Sequence, residues 1–74
     1  MTQDERELRL FGERVREART ALSISQEDLA FRCGLDRTYI SGIERGKRNI
    51  SLLKLVTIAK ALEVDPSQLV DGIR

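Results

Sequence analysis

"GLDRTYISGIERGKRN", residues 34–49, holds a turn glycine, a short amphipathic segment and a basic loop. Asp36 offers a side-chain oxygen of the kind that caps a helix, and Gly46 suits a helix stop, so a helix is predicted from Arg37 to about Arg45. At about 3.6 residues per turn, Ile40 and Ile43 share an inner face, with Leu35 packing at the turn before them. Ser41, Arg45, Thr38 and Gly42 occupy the opposite arc, flanked by Arg37 and Tyr39. That arc has short side chains in its middle and hydrogen-bonding ones at its edges. Such a surface suits close approach to another molecule better than simple solvation.

Upstream, "SISQEDLAFRCG" starts a second element: Ser25 is a good N-cap with Asp28 three residues on, Leu29, Ala30 and Cys33 face inward, and Gly34 ends it. A few residues containing a glycine therefore separate two short helices, the pattern of a helix-turn-helix. Before them, Leu8, Phe11, Val15, Ala18 and Leu22 step by three and four along a long first helix. After them, Ser51 caps a fourth helix with Leu52, Leu55, Val56, Ala59 and Leu62 as its stripe. "DPSQL" then opens a fifth, with Asp65 as cap, Pro66 at the first position and Gln68 closing the box. No segment alternates with period two. The predicted fold is all-α, a five-helix bundle in one domain spanning residues 1–74.

Charge placement narrows the function. The net charge is only +1, but residues 37–54 carry Arg37, Arg45, Lys47, Arg48 and Lys54 against Glu44 alone, a local +4 that leaves −3 elsewhere. Such polarity is an electrostatic footprint for an anionic partner. A single cysteine, Cys33, and no histidine exclude an intramolecular disulfide and a metal site. With no histidine base and no glycine-rich phosphate loop, catalysis is not expected and no cofactor is implied. The acidic N-terminus "MTQDERELRL" lacks the apolar core of a signal peptide, and no apolar run nears the ~20 residues of a membrane span, so a soluble, cytoplasmic protein is expected.

Residues 25–49, "SQEDLAFRCGLDRTYISGIERGKRN", resemble the helix-turn-helix of the phage-repressor-like family of bacterial DNA-binding proteins. The Q-E-x-L-A run, the turn glycine and I-x-x-I-E-x-G carry the likeness together, and it extends over about residues 8–70. Within that family, "GLDRTYISGIERGKRN" is most similar to the controller proteins of restriction–modification systems. The resemblance implies a homodimer whose third helices enter successive major grooves of double-stranded DNA at a two-fold symmetric operator. On this chain it implies base contacts from Arg37, Thr38 and Ser41. Phosphate or groove-edge contacts fall to Ser25, Gln26, Tyr39, Arg45, Lys47, Arg48 and Asn49. Gly42 stands where some phage repressors carry glutamine, so that side of the reading surface is expected to be bare.

The resemblance also implies an internal salt bridge between Arg19 and Glu44, and a dimer interface drawn here from Ile58, Leu62, Val64 and Leu69 on the C-terminal helices. Family members that activate transcription present acids of the second helix to RNA polymerase, which singles out Glu27. Acids in a helix's first turn also complement its dipole without any partner. The expected function is a transcriptional regulator acting on its own gene and that of a restriction endonuclease. Alternatives are a phage-type repressor, an autoregulating antitoxin, or a protein-interaction module that does not bind DNA.

Overall fold

Capping side chains decide where each helix begins. The computed structural model describes residues 1–74 and contains α1 (Gln3–Ala21), α2 (Gln26–Cys33), α3 (Arg37–Glu44), α4 (Leu52–Leu62) and α5 (Pro66–Leu69). Thr2 and Glu5 cap α1 reciprocally, as Ser25 and Asp28 cap α2. Ser51 Oγ accepts from the Lys54 N–H at 3.1 Å to open α4. At α5 the Asp65 N–H donates to Gln68 Oε1 at 2.8 Å, beside Pro66 at the first helical position. Each bond satisfies a backbone or cap group that the helix itself leaves without a partner.

The turn between α2 and α3 depends on Gly34, which adopts φ 67° and ψ 30°, a left-handed conformation that costs glycine nothing. The N–H groups of Gly34 and Leu35 return to the carbonyls of Phe31 and Ala30, closing the end of α2 and redirecting the chain within three residues. Asp36 then starts α3, its carboxylate accepting from the Thr38 N–H at 2.9 Å.

Side chains from all five helices meet in one core: Phe11 and Val15 from α1, Leu29 and Ala30 from α2, Ile40 and Ile43 from α3, Ile58, Ala59 and Leu62 from α4, and Leu69 from α5. Gly12 allows α1 to lie directly on the end of α3, because a Cβ there would stand 2.3 Å from the Ile43 carbonyl oxygen. The Cα radius of gyration is 11.1 Å, close to the ~11 Å expected for a chain this long. No helix is long and apolar enough to cross a membrane.

Three expectations are corrected here. The stripe on α1 stops before Leu22, which is the C-cap residue, so α1 ends at Ala21. On α4 the inner face is centred on Ile58, with Ala59 and Leu62 beside it, while Leu52 turns outward and is 73% exposed. The same geometry corrects the interface residues. Ile58, Leu62 and Leu69 are at most 1% exposed in the single chain, so they have no surface to offer a partner. Only Val64 of that set remains half-buried and reachable.

Candidate nucleic-acid interface

With Ile40 and Ile43 in the core, α3 leaves Arg37, Thr38 and Arg45 exposed and Tyr39 and Ser41 half-buried. Thr38 is held by its own cap: its Oγ1 donates to Asp36 Oδ1 at 2.9 Å. Its hydroxyl proton is thus engaged, and what it presents outward is a methyl group and oxygen lone pairs. The Thr38 N–H, more than its hydroxyl, keeps the Asp36 carboxyl below the usual aspartate range. At the other end of α3, Arg45 Nε donates back to the Ser41 carbonyl at 3.3 Å.

A second group assembles around Tyr39. Arg48 from the basic loop and Lys54 from α4 lie over its ring, with the guanidinium carbon 5.0 Å and the ammonium 5.5 Å from the centroid. Cation–π contacts of this kind contribute roughly 0.5–1 kcal/mol at exposed sites. Gly42 lets Arg48 lie close, since a Cβ there would stand 3.1 Å from Arg48 Cγ and press that side chain outward by a few tenths of an ångström. The surface at Gly42 is therefore not bare: Gly42 is buried, and the Arg48 side chain roofs it. Lys47 and Asn49 stay exposed in the same loop, where the Lys47 N–H ties back to the Gly42 carbonyl at 2.8 Å. Lys54 was visible in the sequence only as one charge in a basic run. Its approach to Tyr39 depends on how α4 packs, and no local signal announces it.

At the start of α2, the Asp28 N–H is taken by Ser25 Oγ at 2.9 Å, while Asp28 accepts from the Ser25 N–H at 3.0 Å. The Ser25 N–H, and after it the Ser25 hydroxyl, holds the Asp28 carboxyl below its usual range, so it stays ionised at neutral pH. The N-terminus of α2 thus has one donor fewer, and one charge more, than an open anion site. Glu27 lies exposed on the outer side of α2 and Phe31, one turn on, is 88% exposed.

Arg19 and Glu44 form a two-pronged ion pair between α1 and α3. Arg19 Nε and Nη2 donate to Glu44 Oε2 and Oε1 at 2.6 and 3.0 Å, and Nη1 donates to the Ile24 carbonyl at 2.9 Å. Hydrogen bonding to Glu44 raises the Arg19 pKa still further above neutrality. Gln26 joins the pair through Nε2, 3.1 Å from Glu44 Oε1, and its Oε1 accepts from Arg37 Nη1 at 3.3 Å.

Comparison with known proteins places this geometry in context. A family model described as helix-turn-helix matches residues 15–69. The control protein C.BamHI of Bacillus amyloliquefaciens is 57% identical over 63 residues, covering 84% of this chain and 78% of that protein. The crystal structure of the restriction–modification controller protein C.AhdI from Aeromonas hydrophila superposes with a TM-score of 0.81 at 53% identity, over 84% of this chain and 94% of its own. The controller protein C.Esp1396I, solved as a tetramer with its natural 35 base-pair operator, matches with a TM-score of 0.78 at 39% identity, over 89% of this chain and 87% of its own. This chain belongs to the helix-turn-helix family of transcriptional regulators, in the group of restriction–modification controller proteins.

Proposed function

We propose that the protein binds a two-fold symmetric DNA operator as a homodimer and so controls its own gene and that of a restriction endonuclease. The observation that carries this reading is the outer face of α3. Its inner isoleucines are fully buried, its exposed end carries Arg37 and Thr38, and the basic residues Arg45, Lys47, Arg48 and Lys54 surround it. An α-helix fits the major groove, and a planar guanidinium matches guanine O6 and N7. Arg37 takes the guanine. Thr38, with its hydroxyl proton held by Asp36, offers a methyl to thymine or an acceptor to a base amine. Ser41 sits against the groove floor between them. Ser25, Gln26, Tyr39, Arg45, Lys47, Arg48 and Asn49 hold the flanking phosphates or groove edges.

The dimer face is moved from the buried core residues to the apolar surface beside them. Leu52 and Leu53 are 73% and 78% exposed, and a cleft of about 220 Å³ lined by Leu8, Ile50, Leu55, Val70 and Ile73 adjoins Leu52. A core this small supplies only about 3–5 kcal/mol, so covering such a face with a second copy is a natural supplement. Glu27 serves as a contact for RNA polymerase. In vitro transcription with Glu27→Lys, which leaves the α3 face intact, tests that role: unchanged activation alongside unchanged DNA binding removes it.

The decisive experiment is selection of bound duplexes from random DNA at moderate salt. A two-fold symmetric motif is expected, with affinity falling as salt rises at a slope of about −0.9 per phosphate neutralised. Binding with no sequence preference would leave only an electrostatic surface.

A further inference from the structure

Two of the basic residues that follow the core of α3 share a groove with the first helix. Arg9 and Glu13 of α1, with Glu44, Arg45 and Lys47 from the end of α3 and the loop after it, line a groove of about 350 Å³ that contains no apolar side chain. The turn at Gly46 brings these segments together. It adopts φ 73°, and a Cβ there would stand 2.8 Å from Arg9 Cγ and 3.0 Å from Arg9 Cα. The aliphatic stem of Arg9 therefore lies against the turn that separates Arg45 from Lys47, in a space only glycine leaves open. Glu44 contributes no free charge, being gripped by Arg19 and only 4% exposed. Arg9, Arg45 and Lys47 are all exposed and none is ion-paired, since the ion pairs of this chain join Arg14 to Glu17, Arg19 to Glu44 and Arg32 to Glu63. Three free cations against Glu13 leave a net +2 on one small groove.

Cations at the end of α3 complement its dipole, but Arg45 serves that end by donating to the Ser41 carbonyl. Arg9 and Glu13 stand four residues apart on α1 with the base first, the weaker order for a helical pair, and they form none. Like charges gathered from two separate elements are balanced by a shared anion. We infer that the groove takes a phosphodiester of the DNA backbone, and that Arg9 of α1 is a phosphate contact lying outside the helix-turn-helix. This rests on the reading of the protein as a DNA binder, under which Arg45 and Lys47 hold flanking phosphates. Arg9 reaches the backbone from the opposite wall of the groove. Its stem is confined by the Gly46 turn, so less side-chain freedom is lost when the guanidinium seats on a phosphate.

Salt titrations of DNA affinity test this with the full chain carrying Arg9→Gln, which keeps a Cγ against Gly46 and loses the charge. Affinities are measured on the duplex that the wild-type chain selects and on duplexes changed at one base pair at a time. Arg9→Gln is expected to weaken binding by about threefold to tenfold, equally on every duplex, and to reduce the salt slope by about 0.9. Arg9→Lys, which restores the charge, should keep most of the slope. Uncharged methylphosphonate groups placed one at a time along the duplex locate the contact: one flanking position should weaken the wild-type chain and leave Arg9→Gln unaffected. Unchanged affinity and slope in Arg9→Gln would overturn the inference, as would an equal loss in Arg9→Lys or a loss confined to particular base pairs. A methylphosphonate profile identical in the two proteins would overturn it too, because Arg9 would then act only as a distant charge. If the wild-type chain binds no duplex, the reading of function fails instead, and dimethyl phosphate decides the groove. Its titration should shift the Arg9 Nε–H resonance more than that of exposed Arg6, and equal shifts overturn the inference.

Discussion

Helices α3 and α4 are both short, both amphipathic and both packed into the same core, yet they differ in how openly they state their orientation. In α3 the large apolar residues are Ile40 and Ile43, with Tyr39 as the one aromatic, and polar or small residues fill the rest. One buried face follows at once. In α4, Leu52, Leu53, Leu55, Val56, Ile58, Ala59, Ala61 and Leu62 surround much of the helix. A stripe through Leu52 and a stripe through Ile58 are both consistent with a period of about 3.6 residues. The fold selects the second, burying Ile58 and exposing Leu52 and Leu53. Surplus apolar residues on a helix point to a second contact, but they hide which face serves the core and which serves the partner.

The largest expected effect would break this comparison if absent. Ile58→Ala should lower unfolding stability by about 3–4 kcal/mol in urea titrations at fixed protein concentration, because it removes a fully buried side chain from a core of small size. A loss under about 1 kcal/mol would return Ile58 to the surface of α4. Next, Glu44→Ala should cost about 3 kcal/mol in the same titration, since it strands the Arg19 guanidinium between α1 and α3.

Leu53→Ala sharpens the contrast from the other side. It should change the stability of the single chain by less than about 0.5 kcal/mol while shifting sedimentation toward monomer. Gly42→Ala probes α3 with the least perturbation. A helix-interior alanine gains about 1 kcal/mol over glycine, and the added methyl displaces only the flexible Arg48 side chain. Stability should hold or rise slightly while the Tyr39 ring resonances shift as Arg48 leaves; unshifted resonances would mean the roof does not depend on Gly42.

The smallest effect concerns pH. Asp28 and Asp36 have lowered pKa values in the folded chain, so each contributes stability that is fully present above the ordinary aspartate value of 3.8 and is lost as pH falls through the lower folded value. Thermal melts of Asp36→Asn should therefore show a flatter acid limb than the parent.

Much of the candidate interface was legible locally. The caps at Ser25, Asp36 and Ser51, the glycine at residue 34 and the inward pair Ile40 and Ile43 all depend on neighbours within a few residues, and the structure has each where the spacing puts it. The outward positions of Arg37, Thr38 and Arg45 follow from the same periodicity. What did not follow were relations between elements: the roof of Arg48 over Gly42, the approach of Lys54 to Tyr39, and the branch from Glu44 through Gln26 to Arg37. Gln26 and Arg37 are eleven residues apart and on different helices, so no periodicity connects them.

The amino-acid sequence by itself determined five helices, their order, the sharp turn between α2 and α3, and a basic face opposite Ile40 and Ile43. Those are consequences of capping, glycine conformation and a period that acts over one or two turns. Tertiary structure alone decided which side of α4 entered the core, and so moved Ile58, Leu62 and Leu69 from surface to interior. It also decided which polar side chains met across the helices. The reason is physical: burial is a property of how helices dock, and a helix with apolar residues on several faces gains nearly the same free energy from more than one docking until all its neighbours are in place.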